Sequence, residues 1–163
     1  MVSPDTGEGK DMSYSLPDFL AHAIAMEDEA AERYLELADM MEAHNNLEVA
    51  KVFRQMNHYS TLHGNSIKER AASVELPKLN LADFRWVTPP EVTDEDAFDY
   101  ELDPFHALQF ARENEKRAAQ YYQSVADEAD DAEVKRLAAE FAEEEQEHTA
   151  ALDKLIEATP RSR

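Results

Sequence analysis

The chain has no cysteine among its 163 residues. That excludes disulfides, thiol catalysis, iron–sulfur clusters and cysteine-ligated zinc. Glycine is nearly as scarce, with three, which favours helices over a loop-rich or all-β fold. Basic residues are outnumbered, 16 Lys and Arg against 36 Asp and Glu, for a formal charge of -20. Nucleic acid and an anionic membrane surface would repel such a chain, so neither is expected as a partner, whereas cations would be attracted. No apolar run reaches the roughly 18 residues of a membrane-spanning helix. The opening MVSPDTGEGKDMSYS has neither the basic nor the apolar block of a secretory signal. Residues 1–15 are expected to form a disordered tail, residues 159–163 a second short tail, and the location to be cytoplasmic.

What is present is helical periodicity. The length is that of one domain with a sizeable core. Apolar residues recur at three and four positions over 16–44, 47–72, 104–128 and 131–158. Asp103-Pro104 supplies an N-cap side chain and a proline at the first helical position of the third stretch. His44-Asn45-Asn46 and Asp130-Asp131 read as short turns, which makes two antiparallel hairpins. Between them ELPKLNLADFRWVTPPEVTDEDAFDYELDP has no regular period. Extended, it could reach roughly 100 Å at ~3.3 Å per residue. A helix of ~27 residues is only about 40 Å long. A connection over 73–103 can therefore run the length of the bundle and start the third helix at the far end. The expected fold is all-α, a ferritin-like antiparallel four-helix bundle over 16–158, in which one long crossover joins two hairpins. The alternative is a linker between hairpins that pair with other chains.

The hairpins repeat one another. AIAMEDEAAERYLELA in the first stretch parallels QFARENEKRAAQYYQSVA in the third, setting Glu27 over Glu115 and Tyr34 over Tyr122 at an offset of 88. EVAKVFRQM parallels EVKRLAAEF at an offset of 85, and the slip falls in the turns.

Helical phase separates inward from outward carboxylates in FAEEEQEHTAALDKL. The apolar seam of the fourth stretch runs Val134, Leu137/Ala138, Phe141, then Leu152 and Leu155; continued across the gap it lands on Glu145 and His148. Glu143, Glu144 and Glu147 fall on other faces and are expected to be solvated. The third seam is Leu108, Ala111, Glu115, Ala118, Tyr122 and Val125. The first is Leu20, Ala23, Glu27, Ala30, Tyr34, Leu37 and Met41, and the second is Val49, Phe53, Met56, Ser60, His63 and Ile67. Three carboxylates thus enter one core with no lysine or arginine on the seams, although burying an unpaired carboxylate costs several kcal/mol. A divalent metal would compensate, and a carboxylate/imidazole set suits iron, manganese or zinc. A buried hydrogen-bond network with His63 and His148 protonated against the glutamates is the other reading, and it requires one glutamate to keep its proton.

These residues resemble the rubrerythrin-like branch of the ferritin-like superfamily, over residues 16–158. The motifs that carry the resemblance are E-x6-Y twice, at Glu27/Tyr34 and Glu115/Tyr122, and E-x-x-H at Glu145/His148. It implies two divalent metal ions, iron first with manganese or zinc as alternatives, held inside the bundle. Glu27 and Glu115 would be terminal ligands, Glu145 a bridging ligand, and His63 and His148 one ligand per metal. Tyr34 and Tyr122 would hydrogen-bond a ligand or a neighbouring helix. Where the second bridging glutamate is expected, the chain has Ser60, and of its neighbours only Tyr59, about 100° round the helix, could lean in. Three carboxylates leave two dications with one positive charge unbalanced, to be met by a hydroxide, oxide or exogenous anion, or by the loss of one metal. With no cysteine there is no rubredoxin iron, and Ala118 stands where a further helix-three glutamate would sit. The resemblance implies a homodimer and, for redox work, an external electron donor. Three functions remain open: oxidation of ferrous iron or reduction of peroxide, non-catalytic metal binding impaired at Ser60, and an interaction module built on Trp86 and the crossover. No catalytic residue is assigned. His22, His44 and His106 are expected at the surface, and Met26, Met40 and Met41 as helix fillers.

Overall fold

The computed structural model describes residues 15–79 and 104–160. Residues 1–14 of the expected N-terminal tail, the Asp103 cap, Trp86 and most of the crossover lie outside the described residues, while Ser15, assigned to that tail, belongs to the start of the first helix. Four helices stand within them: α1 Leu16–Ala43, α2 Leu47–Arg70, α3 Pro104–Glu128 and α4 Ala132–Ala158. None of these is long and apolar enough to cross a membrane.

Local chemistry sets the ends. Ser15 caps α1, its side chain accepting from the Asp18 N–H, with Pro17 in the first turn where a missing donor costs nothing. Asn45 turns the chain with φ of 63°, a left-handed conformation that asparagine tolerates. Asn46 then caps α2, its Oδ1 accepting from the Val49 N–H at 3.1 Å. Asp131 caps α4 by accepting from the N–H groups of Glu133 and Val134. The two short turns hold each hairpin closed.

The core lies in two clusters, one toward each end of the bundle. One joins Phe19, Leu20 and Ala23 of α1, Ile67 and Ala71 at the end of α2, Tyr122, Val125 and Ala126 of α3, and Val134, Leu137, Ala138, Phe141 and Ala142 of α4. Within it Phe19 stacks on Phe141 at 5.7 Å, and Tyr122 meets Phe141 edge-on at 5.4 Å. Aromatic pairs of this kind contribute about 1 kcal/mol beyond the area they bury. The other cluster joins Tyr34, Leu37, Ala38 and Met41 of α1, Ala50, Phe53 and Met56 of α2, Ala107, Leu108, Phe110 and Ala111 of α3, and Leu152 of α4.

Helix directions follow from this membership. The start of α1 shares a cluster with the ends of α2 and α3 and the start of α4. Thus α1 runs antiparallel to α2 and α3, while α2 and α3 run the same way. The end of α2 and the start of α3 lie in different clusters, at opposite ends of the bundle. This is the all-α, crossover-type bundle that the length of the connection implied. One seam shifts: in α3, Ala119 is buried and Ala118 only half-buried. Glu115 and Ala119 are four apart, so the inward face takes the longer step there.

Candidate metal centre

Between the two apolar clusters lies a band of buried polar side chains: Glu27, Ser60, Asn114, Glu115 and Glu145. Each helix contributes to it because its apolar seam is interrupted near the middle. Two groups of three side chains converge there, Glu27–His63–Glu145 and Glu115–Glu145–His148. In each, one potential ligand atom per residue lies within 4.8 Å of the others. Glu145 belongs to both groups. The sequence-derived candidates Glu27, His63, Glu115, Glu145 and His148 are therefore brought together; the first group draws on both hairpins, and the second comes wholly from α3 and α4.

The halves mirror one another across Glu145. His63 Nδ1 lies 3.0 Å from Glu27 Oε2, and His148 Nδ1 lies 3.2 Å from Glu115 Oε1 and 3.6 Å from Glu145 Oε1. Among the described residues, the ion pairs made by Glu27, Glu115 and Glu145 are all to these two histidines. Burial pushes the Glu145 carboxyl well above the usual carboxylate range, and the neighbouring charges of Glu115 and Glu27 push it the same way. Burial also acts upward on Glu115, but hydrogen bonds with Glu145, His148 and Tyr34 outweigh it and hold Glu115 low. Burial opposes charge on His63 and His148, yet their carboxylate neighbours win and raise both above the ordinary imidazole value. Together these shifts favour the protonated form of Glu145 and positive charge on the imidazoles.

The surrounding residues differ between the halves. Tyr34 donates its hydroxyl to Glu115 Oε2 at 2.5 Å, across the two hairpins. Tyr122, its counterpart in the repeat, is fully buried, but its hydroxyl has no hydrogen-bond partner among the described residues. That departs from the hydrogen bond expected of it. The Glu27 charge is, after burial, the strongest influence on the Tyr122 hydroxyl, so the ring sits by the other half without the alignment to donate. Ser60 is buried at 6% exposure, on the seam where its counterpart at offset 85 is Glu145. Tyr59 is 54% exposed, and its ring lies over His148 at 5.9 Å and 21°. His22 packs on Tyr121 and His106 on Phe105, both half-buried rather than fully at the surface; His44 is exposed and ends α1.

Glu144 corrects the expectation that it is merely solvated. Its side chain is 42% exposed, and Oε1 comes within 3.3 Å of His63 Nε2. The approach is an ion-pair distance without hydrogen-bond alignment, so Nε2 has no hydrogen-bond partner among the described residues. Burial raises the Glu144 carboxyl; the charge of His63 opposes this, while those of Glu140 and Glu27 add to it. The seam test missed it because that test asks where a Cβ points, and a glutamate one position off the seam can still reach the next helix. A signal was available: Glu144 corresponds to Tyr59 at the offset of 85, the one neighbour thought able to lean in.

The donor set fits a metal pair. Three buried carboxylates, two imidazoles turned toward them through Nδ1 and one carboxylate common to both groups supply mixed hard and borderline ligands. A sequence model of the rubrerythrin family matches residues 18–156. The chain belongs to the rubrerythrin family. A crystal structure of an uncharacterised conserved protein from Magnetospirillum magnetotacticum MS-1 is similar, with 60% identity, a TM-score of 0.86, and coverage of 92% of this chain and 99% of that one. No curated protein matches the chain. Membership agrees with a rubrerythrin-type, metal-binding helical bundle.

Proposed function

We propose that this rubrerythrin-family chain binds two divalent ions, iron in preference to manganese or zinc, and oxidises ferrous iron or reduces peroxide with them. The observation that carries this is Glu145, which belongs to both three-residue groups and so can serve two ions at once. Glu27 and His63 complete one position, Glu115 and His148 the other. Redox-active ions bound there would supply electrons that take peroxide to water, and an external donor would have to return them because the chain has no cysteine-bound iron.

The protein's own residues set the conditions. Tyr34 fixes Glu115 by donating to the oxygen opposite the one that faces His148. Phe141 packs edge-on against His63 at 4.7 Å, which limits rotation of that imidazole. Burial favours the protonated form of Glu145, whereas an ion binds the carboxylate, so binding is coupled to proton loss. We also propose a homodimer, for which the exposed Leu47, Tyr59 and Leu62 along α2 offer apolar surface.

Buried Ser60 favours a second reading, a site that holds one ion firmly and turns over little. Metal content per chain, measured on protein purified without chelators beside Glu145→Ala, separates the two. Two irons or manganese per chain, lost in the variant, are expected. One zinc or less per chain overturns the redox reading and leaves the second.

A further inference from the structure

We infer that Glu144 is a positioning residue for His63 and makes the Glu27–His63–Glu145 half the tighter of two unequal metal positions. The inference rests on the di-metal reading above.

It starts from the repeat. Glu144 and Tyr59 correspond at the offset of 85, and each immediately precedes the seam position, Glu145 or Ser60. Each crosses to the histidine of the other hairpin. Glu144 brings a carboxylate to His63 Nε2 at 3.3 Å, whereas Tyr59 brings an aromatic face over His148 at 5.9 Å. These two contacts have different consequences. An imidazole that binds metal through Nδ1 carries its proton on Nε2, and a carboxylate accepting that proton's hydrogen bond fixes the ring and makes Nδ1 a stronger donor. His63 has this arrangement in prospect: Nδ1 faces Glu27, while buried Nε2 lacks an aligned partner and has the Glu144 carboxylate beside it. A small rotation of the flexible Glu144 side chain aligns the pair. The ring of Tyr59 offers His148 packing but no carboxylate.

Two further features push the same way. Glu115, the terminal carboxylate of the other half, already gives Oε2 to the Tyr34 hydroxyl, which draws electron density from any bond to metal. Ser60 leaves three ligand carboxylates for two dications, and Glu144 supplies the fourth negative charge beside one half only. The first ion therefore settles with Glu27, His63 and Glu145. The second enters the Glu115–His148 half, which shares Glu145 with the first ion and has no carboxylate behind its histidine.

Stepwise calorimetric titration of the full-length, chelator-stripped protein with Mn2+ tests this. Wild type is expected to show a tight step followed by a weak one. His63→Ala is expected to remove the tight step and His148→Ala the weak one. Glu144→Ala is expected to weaken the tight step by ~10- to 100-fold, the usual scale for a residue behind a metal ligand, with little change in the weak step. Glu144→Gln, which keeps an acceptor, loses less. The circular dichroism and melting temperature of metal-free Glu144→Ala are expected to match wild type, since the side chain is half-exposed. An unchanged tight step in Glu144→Ala, an equal loss in both steps, or loss of the tight step in His148→Ala in place of His63→Ala each overturns the inference while leaving the di-metal reading intact. Wild type that takes up no Mn2+, Fe2+ or Zn2+ overturns that reading and the inference with it.

Discussion

Ser60 and Glu145 occupy equivalent places in the two hairpins, one carrying a small neutral hydroxyl and the other a carboxyl that burial pushes well above the usual carboxylate range. Exchanging Ser60 for glutamate places a fourth acid in the polar band. Without metal, Ser60→Glu is expected to lower stability by on the order of 3 kcal/mol, because a buried charge without a cationic partner is expensive. With divalent ions the added carboxylate supplies the missing bridge, so the variant is expected to bind the second ion more tightly and recover the loss. Urea denaturation of both proteins, with chelator and with saturating Mn2+, checks the two signs together. A variant equally destabilised in both conditions would show that position 60 does not face the ions.

At the scale of the element, Gly64 shows how closely α1 and α2 approach beside the site. Mid-helix glycine costs roughly 1 kcal/mol against alanine, so a stabilising substitution is the ordinary expectation. Here a Cβ at position 64 would lie 3.3 Å from Glu27 Cβ, tighter than comfortable contact. Gly64→Ala is expected to displace Glu27 and weaken metal binding about tenfold, with the helical gain in metal-free stability largely cancelled; titration and thermal melts of the same preparation check this. The helices that frame this contact are largely legible in the sequence. Apolar period places the helices within a residue or two of their observed ends, and the seams that carry Glu27, His63, Glu115 and Glu145 are interrupted where the structure has its polar band; that Ser15, Asn46 and Asp131 act as caps comes from the structure. Period reports which way a residue leaves the helix, not how far it extends or how it is rotated. For that reason Glu144, reaching sideways to His63, and Tyr122, buried without a hydrogen-bond partner, were beyond it.

For the whole molecule, the shifted groups predict opposite responses to pH with and without metal. His63 and His148 are raised above 6.5, so the stability they contribute is fully present below that value and lost as pH rises through their folded values. Glu145 is raised well above 4.5, so its contribution likewise declines as pH climbs. Glu115 is lowered, so its contribution is present above 4.5 and stays constant through the neutral range. The metal-free protein is therefore expected to melt at progressively lower temperature between about pH 6 and about pH 8. With divalent ions the trend should reverse, because the donors must shed protons to bind and higher pH assists them. Calorimetric melts across that window, in chelator and in Mn2+, give both slopes; parallel slopes would mean that these groups do not bind the ions.

The duplication has a historical consequence. In a pair of identical hairpins, any substitution would appear twice, and loss of one bridging carboxylate would remove both. Carried in one chain, the two copies are free to diverge. Serine at 60 opposite glutamate at 145, and tyrosine at 59 opposite glutamate at 144, are such differences, and by the inference above they belong to two unequal halves of one site.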